Sequence, residues 1–172
     1  MVLDVDGTLT DGGIYYDDQE NETKKFSVKD GAGIVLGRAA GLQFMICTGR
    51  ECPAVARRAR DLKIDYVYQN VSRKWEFLED FMILHGLEKS QVAYCGDDWN
   101  DLAAMALCGW VACPADAASQ VKAVADYVCP HVGGQGAVRD AIIQLLTQDG
   151  VLDQALEKAF GVKKEGSPCT RN

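Results

Sequence analysis

Short apolar runs alternate with stretches of helical period along almost the whole chain. That alternation constrains the fold more than any other feature. The apolar runs fall at residues 2–5, 42–47, 66–69, 91–95, 110–113 and 126–129. Stretches of helical pattern lie at about 30–40, 51–62, 72–86, 97–109, 116–125, 136–146 and 151–160. Strands that return to one sheet through helices must run parallel, with helices on both faces. The expected fold is therefore α/β, a doubly wound, Rossmann-like parallel sheet. The segment at about 12–28 breaks the rhythm. Ile14, Tyr15 and Tyr16 supply strand formers, Gln19-Glu20-Asn21 supplies a tip, and the whole reads as a small β-hairpin flap after the first strand. A single domain is expected over 1–162, with a flexible tail at 163–172 rich in Lys, Gly and Ser.

In open parallel sheets, ligands sit beyond the carboxyl ends of the strands. The residues just past each strand are therefore the ones that bear on function. After the first come Asp4, Asp6 and Gly7; after the second, Thr48-Gly49-Arg50. Lys74 begins the helix after the third, and Asp97, Asp98 and Asp101 come after the fourth. Four loops would thus converge on one edge. Close carboxylates repel, and a divalent cation removes the conflict. Asp4, Asp6 and Asp97 offer the hard oxygens that magnesium prefers. A carboxylate nucleophile, a cation, a hydroxyl and a lysine together suit phosphoryl transfer.

Each piece has a simpler explanation. Asp6-Gly7 can be a plain turn. Thr48-x-x-Glu51 has the spacing of a capping box. Asp97, Asp98 and Asp101 suit a helix N-terminus, and Lys74 suits a solvated helix surface. Capping, however, demands no particular residue order across four loops. Other templates fail. A calcium-binding loop beginning at Asp4 would need glycine at Leu9 and glutamate at Tyr15. Neither glycine-rich nucleotide fingerprint is present.

The net charge of −7 argues against nucleic acid or an anionic membrane as partner. An anionic small molecule remains compatible once a bound cation inverts the local sign. Seven cysteines, an odd number without a C-x-x-C pair, fit buried free thiols in a reducing, cytoplasmic setting. No membrane span is visible in the sequence. Two histidines far apart argue against a histidine-built metal centre, and His85 and His131 read as surface or loop residues.

The motifs "DVDGT", "ICTGR", Lys74 and "GDDWND" resemble the four signatures of the haloacid dehalogenase-like phosphatases. The resemblance covers nearly everything from Val2 to Leu146. It implies Asp4 as nucleophile and Asp6 as general acid and base. It implies Asp4, the Asp6 carbonyl and Asp97 as ligands to Mg2+, with Lys74, Thr48 and Gly49 on the phosphate. Only a hairpin occupies the usual site of an inserted cap domain, so the chain resembles a capless member. "DVDGTLTDGGIYY", "KKFSVKDGAGI" and "ADYVCPHVGGQGAVRD" extend the likeness to the family of 3-deoxy-D-manno-octulosonate 8-phosphate phosphatases. That implies a phosphorylated keto-deoxy sugar acid as substrate and a homotetramer assembled through the hairpins. It also places "GGQGAVRD" near an active site, its own or a neighbour's.

The related nonulosonate (sialic-acid-like) 9-phosphate phosphatases share most of these motifs. They tend to carry glutamate at the position of Arg50 and lysine at that of Asp61, so Arg50 leans toward the octulosonate enzymes. Arg50 and Arg58 are candidates to pair with a sugar acid carboxylate, and both also fit a solvated helix. Thr8 departs from the valine common in the octulosonate group. Two further classes are open to the sequence. One is a phosphorylated receiver domain, whose acceptor aspartate would come after the third strand, where this chain has Gln69-Asn70. The other is a non-catalytic oligomerisation module related to nonulosonate-activating enzymes.

Overall fold

The structure, a computed structural model, describes residues 1–162. The expected tail at 163–172 lies outside the described residues. Six strands form one parallel sheet: β1 (Val2–Leu3), β4 (Met45–Cys47), β5 (Tyr66–Tyr68), β6 (Ala93–Cys95), β7 (Trp110–Cys113) and β8 (Tyr127–Val128), in the order β5-β4-β1-β6-β7-β8. β1 sits in the middle, with Leu3 beside Ile46 on one flank and Cys95 on the other. The order of the chain reverses at β1, so the loop that leaves it opens at the switch point where such sheets bind ligands.

Because strand side chains alternate, each strand feeds two cores. Leu3, Ile46, Cys95 and Ala112 join one, with Ile34 of α1 (Val28–Ala39), Val55 of α2 (Pro53–Asp61) and Ile142 of α6 (Ala137–Gln148). Ala155 of α7 (Leu152–Phe160) completes that side. Val2, Met45, Cys47 and Tyr94 join the other, with Leu78 and Phe81 of α3 (Lys74–His85), Met105 of α4 (Leu102–Met105) and Val121 of α5 (Ser119–Val124). Residues buried to this degree contribute about 1.5–3 kcal/mol each for a large aliphatic or aromatic side chain. Among the described residues six cysteines are free and buried, as the sequence suggests. Burial pushes the thiols of Cys47 and Cys129 up to about 12.

Asp30 opens the helical stretch expected at 30–40 and has the composition of a cap, but it does not cap its own helix. Ser27 is the N-cap of α1, and its side chain accepts from the Lys29 amide. Asp30, 1% exposed, instead accepts at 3.1 Å from the amide of Arg139 in the first turn of α6. The capping carboxylate thus comes from a distant helix. The inner face of α3 is Lys74, Leu78 and Phe81, whereas Trp75 and Leu84 point outward at 43% and 80% exposure. The helix in "DDWNDLAAMALCG" shrinks to the four residues of α4 because the acidic end is a turn.

The hairpin is present. β2 (Tyr15–Tyr16) pairs antiparallel with β3 (Glu22–Thr23), and Thr10 bridges Phe26 at the base. Asp17 closes its tip by accepting from the amides of Gln19 and Asn21. Ile14, Tyr15 and Tyr16 are exposed.

Candidate active site

Asp4 is the first residue past the central strand, and its amide still donates to the Cys95 carbonyl of β6 at 3.0 Å. The sheet therefore fixes its backbone, and only 4% of the residue is exposed. Lys74 opens α3 from across the sheet. Its ammonium donates to Asp4 Oδ1 at 2.6 Å and to Asp101 Oδ1 at 2.7 Å. The lysine is 2% exposed and Asp101 fully buried. A buried ammonium is tolerable only when paired and hydrogen-bonded. Burial opposes its charge, but the two aspartates more than compensate and hold Lys74 protonated well above the usual lysine range. Lys74 is thus neither solvated nor part of a cap.

Asp101 accepts four donors: Lys74, the Tyr94 hydroxyl at 2.8 Å, and the amides of Asp97 and Asp98 at 3.1 and 3.3 Å. Both of its oxygens are engaged, so its work is to orient Lys74 and the Asp97 loop. Asp97 accepts from the Thr8 hydroxyl at 2.7 Å. A Cβ on Gly7, whose φ is +93°, would fall 2.1 Å from Asp97 Oδ2, so the first loop can approach the fourth only with glycine there. Asp98 is exposed and accepts from the Trp99 amide.

Carboxylate oxygens of Asp4, Asp97 and Asp101 lie within 4.8 Å of one another. Desolvation first, then Asp101 beside it, pushes Asp4 up to about 6 despite Lys74. Desolvation pushes Asp97 up to about 8, with Asp4 and Asp101 adding to the rise and Thr8 opposing it. Such oxygens need either protons or a cation, and hard oxygen donors suit magnesium. The residues present fit Mg2+. Asp4, Asp97 and the backbone carbonyl of Asp6 would hold it, because Asp101 is already fully engaged.

The remaining expected residues divide into two groups. Thr48 is 2% exposed, and its amide donates to the Tyr68 carbonyl. It caps no helix, since α2 begins at Pro53 with Cys52 as N-cap. Gly49 comes next in the exposed loop after β4. Asp6 is turned toward the hairpin, where its Oδ1 accepts from the Lys24 ammonium. Arg50 donates to Glu22 at 2.5 Å, and Arg58 donates to the Ser27 carbonyl at 2.9 Å while lying over the Phe26 ring. Neither arginine is an unengaged surface cation. The Gly133-Gly134 lead-in to α6 packs on this chain's own first loop. A Cβ at Gly133 would lie 1.8 Å from the Gly7 carbonyl oxygen, and the Gly134 amide donates to the Thr8 carbonyl at 3.0 Å.

Sequence reasoning missed Lys24, Glu22 and Tyr94. Glu22 opens β3 and Lys24 follows directly after its end, two residues on, the spacing that in extended chain sends both side chains to one face. Tyr94 lies inside an apolar run, and nothing in the sequence marks its hydroxyl as special.

A central-strand aspartate paired with a lysine, a second aspartate loop beside them and a threonine after the adjacent strand define a phosphoryl-transfer site of the haloacid dehalogenase type. The family model for haloacid dehalogenase-like hydrolases matches residues 66–142. A 3-deoxy-D-manno-octulosonate 8-phosphate phosphatase, KdsC, of Haemophilus influenzae is 38% identical over 169 residues, covering 96% of this chain and 94% of that protein. KdsC of Escherichia coli K12 is 38% identical over 155 residues, covering 90% and 82%. The crystal structure of the Moraxella catarrhalis octulosonate 8-phosphate phosphatase, in complex with magnesium, phosphate and KDO, superposes with a TM-score of 0.85 at 37% identity, covering 89% of this chain and 88% of that one. The chain belongs to the haloacid dehalogenase-like hydrolases, and within them to the group of these octulosonate phosphatases.

Proposed function

We propose that this chain is a magnesium-dependent phosphatase that hydrolyses 3-deoxy-D-manno-octulosonate 8-phosphate. The observation that carries the reading is the buried contact of Lys74 with Asp4, beside Asp97, at the carboxyl end of the central strand. Relatives named for this activity match over almost the full chain.

Asp4 attacks phosphorus in line, forming an aspartyl phosphate while the phosphorus–sugar oxygen bond breaks. Asp6 gives its proton to the leaving C8 oxygen, then takes one from the water that hydrolyses the aspartyl phosphate. Thr48, the Gly49 amide and Lys74 hold the transferring oxygens in a site shielded from water. Magnesium, when bound, neutralises phosphate oxygens and the Asp4 carboxylate. Arg50 and Arg58 are the candidates for the sugar acid carboxylate, and to meet it each gives up a present partner, Glu22 or the Ser27 carbonyl.

The exposed Ile14, Tyr15 and Tyr16 of the hairpin support assembly with further copies, and a homotetramer is the expected state. Light scattering after size exclusion checks it; a monomer at micromolar concentration overturns it. The six buried thiols support a reducing, cytoplasmic setting. Among the described residues no helix is long and apolar enough to cross a membrane.

The test is phosphate release with magnesium from octulosonate 8-phosphate, nonulosonate 9-phosphates and simple sugar phosphates. The octulosonate ester should give the highest kcat/KM, and Asp4→Asn should abolish turnover while leaving the fold intact. A preference for a nonulosonate ester would move the assignment to the sister enzymes. Near-normal turnover by Asp4→Asn would overturn the nucleophile.

A further inference from the structure

The hairpin carries a charged chain of contacts that the proposed mechanism does not use. Lys24 extends from the end of β3 with its side chain only 1% exposed. Its ammonium meets Asp6 Oδ1 and lies 2.7 Å from Glu22 Oε1. Glu22 Oε2 accepts from Arg50 at 2.5 Å, and the Glu22 carbonyl accepts from the Cys52 thiol at 3.5 Å. Hydrogen bonds from Arg50 and Lys24 hold Glu22 down at about 2. The result is a line of alternating charge, Arg50–Glu22–Lys24–Asp6, running from the lead-in to α2 through the hairpin to the first loop.

This line is costly to build unless it orders something. A lysine with four rotatable bonds loses most of its freedom on burial, and the ammonium must be desolvated. Asp6 is the group it constrains. Asp6 sits on a turn with a quarter of its side chain exposed, where staggered rotamers would otherwise be open to it. Proton transfer requires a carboxyl group held within hydrogen-bond reach of the leaving oxygen.

We infer that Lys24 is a positioning residue for Asp6: from the hairpin it fixes the orientation of the carboxyl group that handles protons, and Glu22 with Arg50 fixes Lys24. The inference rests on the acid and base role proposed for Asp6. It also gives the hairpin a function within its own subunit, independent of assembly.

The experiment compares two esters in the full-length protein with magnesium. Octulosonate 8-phosphate leaves as an alkoxide and needs a proton; p-nitrophenyl phosphate leaves as a stable phenolate and does not. The readout is the ratio of kcat/KM for the alkyl ester to that for the aryl ester. Asp6→Asn should collapse this ratio by about 100-fold or more. Lys24→Met should lower it about tenfold, and Lys24→Arg should restore most of it. In an Asp6→Asn background, adding Lys24→Met should change the ratio less than about twofold, because a residue acting through Asp6 has nothing left to act on. If Lys24→Met fails to fold, Glu22→Gln, which loosens Lys24 without removing it, carries the same comparison. An equal fall for both esters, or an undiminished effect in the Asp6→Asn background, means that Lys24 only anchors the hairpin and overturns the inference. An intact ratio in Asp6→Asn alone removes the proton role of Asp6 itself, and the inference with it.

Discussion

Lys74 and Asp4 lie 70 positions apart in sequence, yet their ammonium and carboxylate meet at 2.6 Å in the buried edge of the sheet. The contact joins the first turn of α3 to the end of β1. It also makes the site's electrostatics conditional: the buried Asp4 charge leans on Lys74, whereas Lys74 has Asp101 as a second buried partner.

Removing the ammonium should therefore cost both activity and stability. Lys74→Met leaves Asp4 and Asp101 buried without a countercharge, a change that typically costs about 3–5 kcal/mol. The two acids can escape part of that cost by taking up protons. Urea denaturation should show a larger loss at pH 8 than at pH 5, and phosphate release should fall at least about 100-fold. A loss independent of pH would argue that the pairing is not the source of the stability.

Magnesium affinity should depend on pH with a definite sign. Burial raises Asp4 to about 6 and Asp97 to about 8 in the metal-free protein. Protons and cation compete for the same oxygens, so affinity should strengthen as pH rises from about 6 to about 8 and then level off. The linked effect on folding has the opposite slope. Both folded values lie above the ordinary carboxylate value, so the folded state keeps protons that the unfolded chain has lost. Without metal, these two groups make the protein less stable as pH rises from the ordinary carboxylate value, about 4, through about 6 for Asp4 and about 8 for Asp97, and saturating magnesium should reduce the loss. Titration calorimetry in buffers of different ionisation enthalpy measures the proton release directly. Binding without proton release at pH 7 would contradict the assignment.

Asp101→Asn tests the difference between holding the ion and holding its ligands. Asparagine keeps one acceptor oxygen, but Asp101 serves four donors. The variant should fold, with magnesium affinity reduced about 10–100-fold. A metal-binding loss as complete as that of Asp97→Asn would place Asp101 among the ligands instead.

Gly7→Ala should disable the site through a single methyl group. The new Cβ would lie 2.1 Å from Asp97 Oδ2, and φ at +93° strains any residue with a side chain. A stability loss of about 1–3 kcal/mol is expected from the backbone alone. Magnesium affinity should fall as well, because Asp97 must move. A variant with unchanged affinity would show that the two loops can part without consequence.

The architecture was readable because it depends on period and order. The two-residue alternation that sends Leu3 to one core and Val2 to the other is written in the apolar pattern. The order Asp4, Lys74, Asp97 along the chain becomes proximity once the strands are parallel. Contacts set by three-dimensional closure were not readable. Asp30 has the composition of a local cap, but its partner is the Arg139 amide, 109 positions away. Arg58 looks like a solvated helix cation, yet its partner is the carbonyl of Ser27, the N-cap of α1. The hairpin register fixed which face Glu22 and Lys24 share, and no spacing rule says which way that face turns.

The closeness of α1 to α6 has a mechanical consequence. A Cβ on Gly33 would fall 2.7 Å from the Arg139 Cα, and one on Gly37 would fall 3.3 Å from Ile142 Cγ2. Bulk at Gly33 would act as a wedge between the helices, and the turn that rests Gly133 against Gly7 would be levered with them. Damage to the charged pocket can thus begin between two helices, at a glycine that bears no charge and is not among the pocket's charged groups.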